Sequence, residues 1–197
     1  RDIVETSFEG LDTYRCQSPL SAINATNIAI TGNGVIDGNG QFWRPVKKAK
    51  VTESQWKEII NRRGGYLSRD DYWVPNEGFA KAEAKANMNV VIADSEEEWN
   101  EFKRFLRPVM ISLIRCKNIL LQGVIFQNSP AWNLHPLMSE NIIIDNVLAR
   151  NPSYAQNGDA LDLESCKNVL IINSKFDAGD DGICIKSGKD ADGRRRN

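Results

Sequence analysis

The sequence predicts an all-β fold, a right-handed parallel β-helix interrupted by a helical insertion. Three observations point there. A short apolar motif recurs as Asn27-Ile28-Ala29-Ile30-Thr31-Gly32, Asn118-Ile119-Leu120-Leu121-Gln122-Gly123, Asn141-Ile142-Ile143-Ile144-Asp145-Asn146 and Asn168-Val169-Leu170-Ile171-Ile172-Asn173. Each copy reaches Gly or Asn five positions after its first asparagine, and these residues tolerate the left-handed backbone of a bend. The last three leading asparagines are separated by 23 and 27 residues, the length of one solenoid turn. Rungs of such a coil stack about 4.8 Å apart, so Ile119, Ile142 and Val169 should form a ladder. Leucine-rich repeats are the nearest solenoid rival, but their leucine spacing is missing. A β-sandwich with chance similarity is the other reading, and the constant offset between asparagine and bend in all four copies weighs against it.

The 197 residues suffice for one domain with a sizeable core. With 25 Lys and Arg against 26 Asp and Glu, the net charge is −1, so no overall field favours nucleic acid or an acidic membrane. No apolar run approaches the roughly 18 residues of a membrane span. The stretch Arg1-Asp2-Ile3-Val4-Glu5-Thr6 is not a signal peptide and reads like the middle of a domain. Arg194-Arg195-Arg196 reads as a solvated tail. Cys16, Cys116, Cys166 and Cys184 are too few and scattered for a disulfide scaffold. Cys116 and Cys166 share a ladder two rungs apart, about 10 Å, too far to bridge.

The partial β-helix is expected to run over 1–197, with an insertion at 44–107. Thr52-Glu53-Ser54-Gln55 forms a capping box followed by Trp56, Ile59, Ile60 and Arg63 at helical spacing, and Gly64-Gly65 should stop that helix. Ser95-Glu96-Glu97-Glu98 is a second capping box. Trp99, Phe102, Phe105 and Leu106 then share one face before Pro108 ends the element. A lid or brace packed on the coil is the expected role.

Counting back from the repeat asparagines places the polar residues. Nine positions back stand Val109, Trp132 and Asp159; six back stand Ser112, His135 and Asp162; two back stand Cys116, Ser139 and Cys166. The next turn aligns Ala160-Leu161-Asp162-Leu163-Glu164 with Gly182-Ile183-Cys184-Ile185-Lys186. Leu161, Leu163, Ile183 and Ile185 then face the coil interior, while His135, Asp162 and Cys184 share the outer face. Asp159 stacks below Asp181, and Asp180 leaves the rung in another direction. Asp159, Asp180 and Asp181 thus converge as a catalytic candidate, since carboxylate crowding is usually kept for acid–base chemistry or a metal. Two carboxyls are the minimum for glycoside hydrolysis, one protonated and one ionised. A calcium site is the competing use. Trp132, after Ser129-Pro130-Ala131, could stack on a sugar or pack on the insertion. His135, the single histidine, could be structural or touch substrate. Lys186 could meet an acidic sugar or pair with Glu164.

With these motifs in place, the chain resembles glycoside hydrolase family 28, the polygalacturonases and rhamnogalacturonan hydrolases. Asn157-Gly158-Asp159 matches the family's Asn-Thr-Asp motif with Gly for Thr, and Asp180-Asp181 matches its Asp-Asp motif. Gly32-Asn33-Gly34-Val35-Ile36-Asp37-Gly38-Asn39-Gly40 and Asn128-Ser129-Pro130-Ala131-Trp132 are also typical. The resemblance implies a pectin-lyase-like solenoid, a pectic polysaccharide substrate and an enzyme secreted or periplasmic. It further implies inversion, with Asp180 as general acid and Asp159 and Asp181 activating water. Asn157, Asp162, Trp132, His135 and Lys186 are the expected substrate contacts. No cofactor, resident metal, nucleic acid or membrane partner is expected. The family's Gly-His-Gly and Arg-Ile-Lys motifs do not follow Asp181, so the chain is expected to be the middle of a longer enzyme, inactive and poorly soluble alone. A lyase on the same fold and a non-catalytic carbohydrate-binding β-helix are the rival functions. Inversion calls for roughly 6.5–9.5 Å between acid and base, so Asp180 should stand that far from Asp159 or Asp181. Its two anionic neighbours should raise its pKa.

Overall fold

The computed structural model describes residues 3–8, 11–86 and 90–196. Arg1, Asp2 and Asn197, which figure in the readings above, lie outside them. The chain opens with an antiparallel hairpin of β1 (Ile3–Phe8) and β2 (Leu11–Cys16). The first rung is β3 (Leu20–Ile23), β4 (Thr26–Thr31) and β5 (Val35–Asp37). An inserted segment follows with β6 (Val46–Lys47), α1 (Glu53–Ile60), β7 (Tyr66–Arg69), β8 (Tyr72–Val74), α2 (Glu77–Lys85) and α3 (Glu96–Glu101). The coil resumes with β9 (Ile111–Ile114), β10 (Lys117–Gln122) and β11 (Ile125–Gln127). The third rung is β12 (Leu134–Leu137), β13 (Glu140–Asp145) and β14 (Leu148–Arg150). The fourth is β15 (Leu161–Glu164), β16 (Lys167–Ile172) and β17 (Lys175–Asp177). Then come β18 (Ile183–Lys186) and α4 (Asp190–Arg195).

Corresponding strands of successive rungs pair in parallel, giving three sheets: β18-β15-β12-β9-β3, β16-β13-β10-β4 and β17-β14-β11-β5. The fold is a three-faced parallel β-helix. Alternate side chains enter the coil, as the strand period requires. Ile28, Ile119, Ile142 and Val169 stand in one ladder, and Leu20, Ile111, Leu134, Leu161 and Ile183 in another. Ile119, Ile142, Leu134 and Leu161 are buried, and each such side chain contributes about 1.5–3 kcal/mol. Ile183 and Ile185 keep the register but are exposed, because they lie on the last described rung.

The corners explain the asparagines. Asn27, Asn118, Asn141 and Asn168 all have φ between 53° and 61°, and Gly32, Gly123, Asn146 and Asn173, five positions on, also have positive φ. The four leading asparagines also bond one another. The side-chain amides of Asn118, Asn141 and Asn168 each donate to the side-chain oxygen of the asparagine one rung earlier, at 3.0–3.1 Å. The motif therefore both bends the backbone and locks adjacent rungs in register. All four cysteines are free thiols.

The insertion is not only helical. It contains an antiparallel sheet, β6-β8-β7, and the helix α2, neither of which the periodicity revealed. Thr52 and Gln55 form the reciprocal capping box of α1. Ser95 caps α3, but Glu98 accepts from the Asp94 N–H instead of closing a second box. The expected solvated tail is corrected at Arg196, whose side chain is buried and paired with Glu164 and Asp192. The pairing removes its charge from solvent.

Asn141 should carry measurable weight. Asn141→Ala loses two ladder bonds and strains the left-handed backbone, for an expected cost of about 1–3 kcal/mol. Asn141→Gly keeps the backbone relaxed and should cost less. Urea midpoints rank the three proteins, and equal midpoints for Ala and Gly would remove the backbone contribution.

Candidate active site

The site forms where the corner between β14 and β15 meets the turn before β18. The register Leu161↔Ile183 continues outward, and the Ala160 N–H donates to the Asp181 carbonyl at 2.9 Å. Asp159 therefore lies one rung from Asp181. One carboxylate oxygen each of Asp159, Asp180 and Asp181 lies within 4.8 Å of the others. Asp159 is buried, while Asp180 and Asp181 are exposed. Among the described residues these form the one such group able to grip a metal ion. Calcium would require six to eight oxygens, of which these supply part.

One expectation about the cluster is corrected. Nearest oxygens within 4.8 Å for every pair leave no gap of the expected width around Asp180, because adjacent rungs are themselves only about 4.8 Å apart. A raised carboxyl pKa is found at Asp159. Burial, reinforced by Asp162 and Asp180, lifts the Asp159 carboxyl to about 7. Its Oδ1 is buried without a hydrogen-bond partner. Burial thus favours the protonated form of Asp159.

Asn157 ties the cluster to its support. Its backbone, at φ 51°, donates to Asp180 Oδ2 at 3.1 Å. Its side-chain oxygen accepts from Arg107 Nη2 at 3.0 Å. Arg107 also donates to the carbonyls of Pro130 and Gln156. Burial, with Arg15 nearby, lowers this guanidinium to about 9. Arg107 was not among the sequence candidates. Its one signal is a cation inside the apolar run Phe105-Leu106-Arg107-Pro108-Val109-Met110.

The remaining candidates form a layer beneath. Asp162 is wholly buried and accepts from Lys186 Nζ at 2.7 Å. Direct substrate contact is thus corrected for Asp162: no surface of it reaches a polymer. Lys186 lies 3.7 Å from the centroid of the Trp132 ring. Burial would lower its pKa, but Asp162 outweighs that and raises it, so Lys186 stays charged. Trp132 is 5% exposed and packs with Val109 and Ala131. The exposed sugar-stacking ring is corrected too, because the cation covers its face. His135, expected as a possible substrate contact, is buried edge-on to Trp132 at 5.1 Å, with Nε2 2.9 Å from Glu164 Oε2. It also borders a cavity of about 210 Å³ along the outer face, with Ser21, Ser112 and Arg15. Glu164 was missed as a site-supporting residue. It pairs with His135 and Arg196, not with Lys186 as the sequence suggested.

Glycines set the approach of the loops. A Cβ on Gly179 would meet the Ser153 carbonyl oxygen at 1.8 Å, and one on Gly158 would meet the Ala155 Cβ at 2.6 Å. The second contact explains why this chain carries Gly158 where the motif has Thr. Gly40 packs equally closely on Ser129, so the two typical phrases meet each other.

A model of the family Glycosyl hydrolases family 28 matches residues 93–192, which include all three aspartates. The chain belongs to glycosyl hydrolases family 28. An Exo-poly-alpha-D-galacturonosidase of Dickeya chrysanthemi is 28% identical over 170 residues, covering 86% of this chain and 26% of that protein. An Endo-polygalacturonase of Pectobacterium carotovorum subsp. carotovorum is 28% identical over 189 residues, 95% of this chain and 35% of that one. The crystal structure of a hyperthermoactive Exopolygalacturonase from Thermotoga maritima superposes with a TM-score of 0.63 at 35% identity, covering 98% of this chain and 40% of that chain. The chain thus spans about a quarter to two fifths of these family 28 relatives. No helix among the described residues is long and apolar enough to cross a membrane.

The buried carboxyl gives a pH signature. Between about pH 4 and 7 an unfolded aspartate is ionised, while native Asp159 remains protonated. The native state then binds more protons, so this group's contribution to stability falls as pH rises through that window. Asp159→Asn should remove that fall. The stability of the variant relative to the wild type should climb by up to about 1.4 kcal/mol per pH unit. Denaturant unfolding at pH 4.5 and 6.5 reads this, and a pH-independent difference would contradict it.

Proposed function

We propose that this chain carries the catalytic centre of a glycoside hydrolase that cleaves pectic polysaccharide, at the cell exterior or in the periplasm. The observation that carries the reading is the three-aspartate cluster on adjacent rungs, within a family whose relatives here are named for polygalacturonic substrates. Water must be deprotonated and the glycosidic oxygen protonated, and a cluster retaining one proton near neutral pH can do both. Carboxyl oxygens this close can pass a proton from one to another. Asp180 is exposed and held by the Asn157 N–H. It presents the proton to the leaving oxygen, the role the family resemblance implies. Asp159 and Asp181 take the proton of the attacking water. The reading of inversion rests on the third carboxylate and not on the spacing. A retaining site needs only an acid and a nucleophile, and a third group makes sense as half of a pair that holds a water.

Asn157 lines the site directly. Asp162, Trp132, His135 and Glu164 form a buried layer that holds the partly buried Lys186 in place. The lyase alternative is disfavoured. The basic residue that the repeat places beside the carboxylates, Lys186, is held charged by Asp162 and cannot serve as the base.

In the intact protein, Asp180→Asn should lower turnover of polygalacturonate about 10²–10⁴-fold, with KM little changed. On a galacturonide with an activated leaving group that needs no proton, the same variant should recover most of its rate, and Asp181→Asn should not. Reducing-end assays on both substrates make the comparison. Recovery by Asp159→Asn instead of Asp180→Asn would move the acid to the buried carboxyl. A product absorbing as an unsaturated uronide would restore the lyase.

A further inference from the structure

Beside Asp180 lies a second polar cavity of about 220 Å³, between the coil and the insertion, whose walls include Lys47, Lys50, Tyr154, Gln156 and Asp180. Its basic wall is anchored. Val46, next to Lys47, is 1% exposed and packs with Trp56, Ile59 and Trp73. Val51, next to Lys50, joins the same cluster, and so does Tyr154 from the loop that leads to Asn157 and Asp159. Strand β6 pairs with β8, which places Lys47 opposite Tyr72. Both lysines are therefore carried by backbone packed against the catalytic loop, and their side chains remain exposed.

The charges there are unbalanced. Lys48, between them, pairs with Glu53 at 3.3 Å. Lys47 and Lys50 form no ion pair with any described residue. Two lysines without an ion-pair partner among the described residues thus line a cavity with Asp180. A neutral sugar gives no reason for that arrangement, whereas an anionic one does. Each ammonium can donate charge-assisted hydrogen bonds to a carboxylate.

We infer that Lys47 and Lys50 form an anion-recognising subsite that holds the carboxylate of a uronic acid unit next to the scissile bond. This inference rests on the hydrolase reading for the position of the scissile bond. It assigns to the insertion a part in substrate selection as well as in bracing. The subsite discriminates between free uronate and its methyl ester, because the ester removes the charge that the lysines recognise.

Binding of trigalacturonate and of its methyl ester is measured by calorimetry in the intact protein carrying Asp181→Asn to suppress turnover. The acid should bind about tenfold or more tightly than the ester, the worth of a charged pair of contacts. Adding Lys47→Gln and Lys50→Gln should weaken the acid about tenfold, leave the ester within about twofold, and flatten the salt dependence. Lys47→Arg with Lys50→Arg should restore the preference. Equal affinity for acid and ester, an unchanged acid affinity in the Gln variant, or no binding of the acid would overturn the subsite. The hydrolase reading is judged separately, by release of reducing ends from polygalacturonate by the wild type. Binding with the expected acid preference but without cleavage would count against hydrolysis and leave the subsite standing.

Discussion

The register between the fourth rung and β18 is the constraint on which the site depends. With Leu161 opposite Ile183 and the Ala160 N–H on the Asp181 carbonyl, Asp159 and Asp181 must stand at the rung spacing whatever their mutual repulsion. A slip of one residue would turn every side chain of the rung to the other face and disperse the cluster. The apolar ladders within and the asparagine ladder at the corner both resist that slip, so the same repeats that build the coil also hold three carboxylates together. Stacking also limits their separation. A solenoid places acids on neighbouring rungs about 4.8 Å apart, which is why the wide two-carboxylate gap is not seen.

The site is costly and its support is correspondingly deep. Asp159 and Asp162 each leave a buried oxygen unpartnered, a cost of about 1–3 kcal/mol apiece where nothing else satisfies them. Arg107 is a buried cation bonded to carbonyl and amide oxygens instead of a carboxylate. Buried ionic groups of this kind add little net stability. They fix geometry here: Arg107 holds Asn157, Asn157 holds Asp180, and Asp162 holds Lys186 against Trp132. The stability that permits this comes from the continuous core of the coil, in which Leu134, Leu161, Ile142 and Ile144 are at most 1% exposed.

Much of this was legible in the sequence, for a physical reason. Repetition converts spacing into position, so the count back from Asn168 placed Asp159, Asp162 and Cys166 on their rungs. The shared alignment of Leu161 with Ile183 did the same for Asp181. Residues outside the repeat were not legible. Arg107, Tyr154 and the β6-β8-β7 sheet owe their places to packing between segments far apart in sequence, and nothing local encodes it. Exposure was misjudged for Trp132, and surface contact was expected of Asp162. Facing outward from a rung does not expose a side chain when the next rung supplies a lysine to cover it. Counting neighbouring charges also could not single out Asp159, whose carboxyl is raised chiefly by burial, visible only in three dimensions.

In the proposed mechanism Asp159 and Asp181, one rung apart, share the attacking water, and the stereochemistry of cleavage reads that directly. Proton NMR of the first product released from polygalacturonate by the intact protein, recorded before mutarotation, gives its anomeric configuration. An inverted configuration is the expected result, because water attacks from the face opposite the leaving oxygen. A retained configuration would contradict it and would make one of these aspartates a nucleophile.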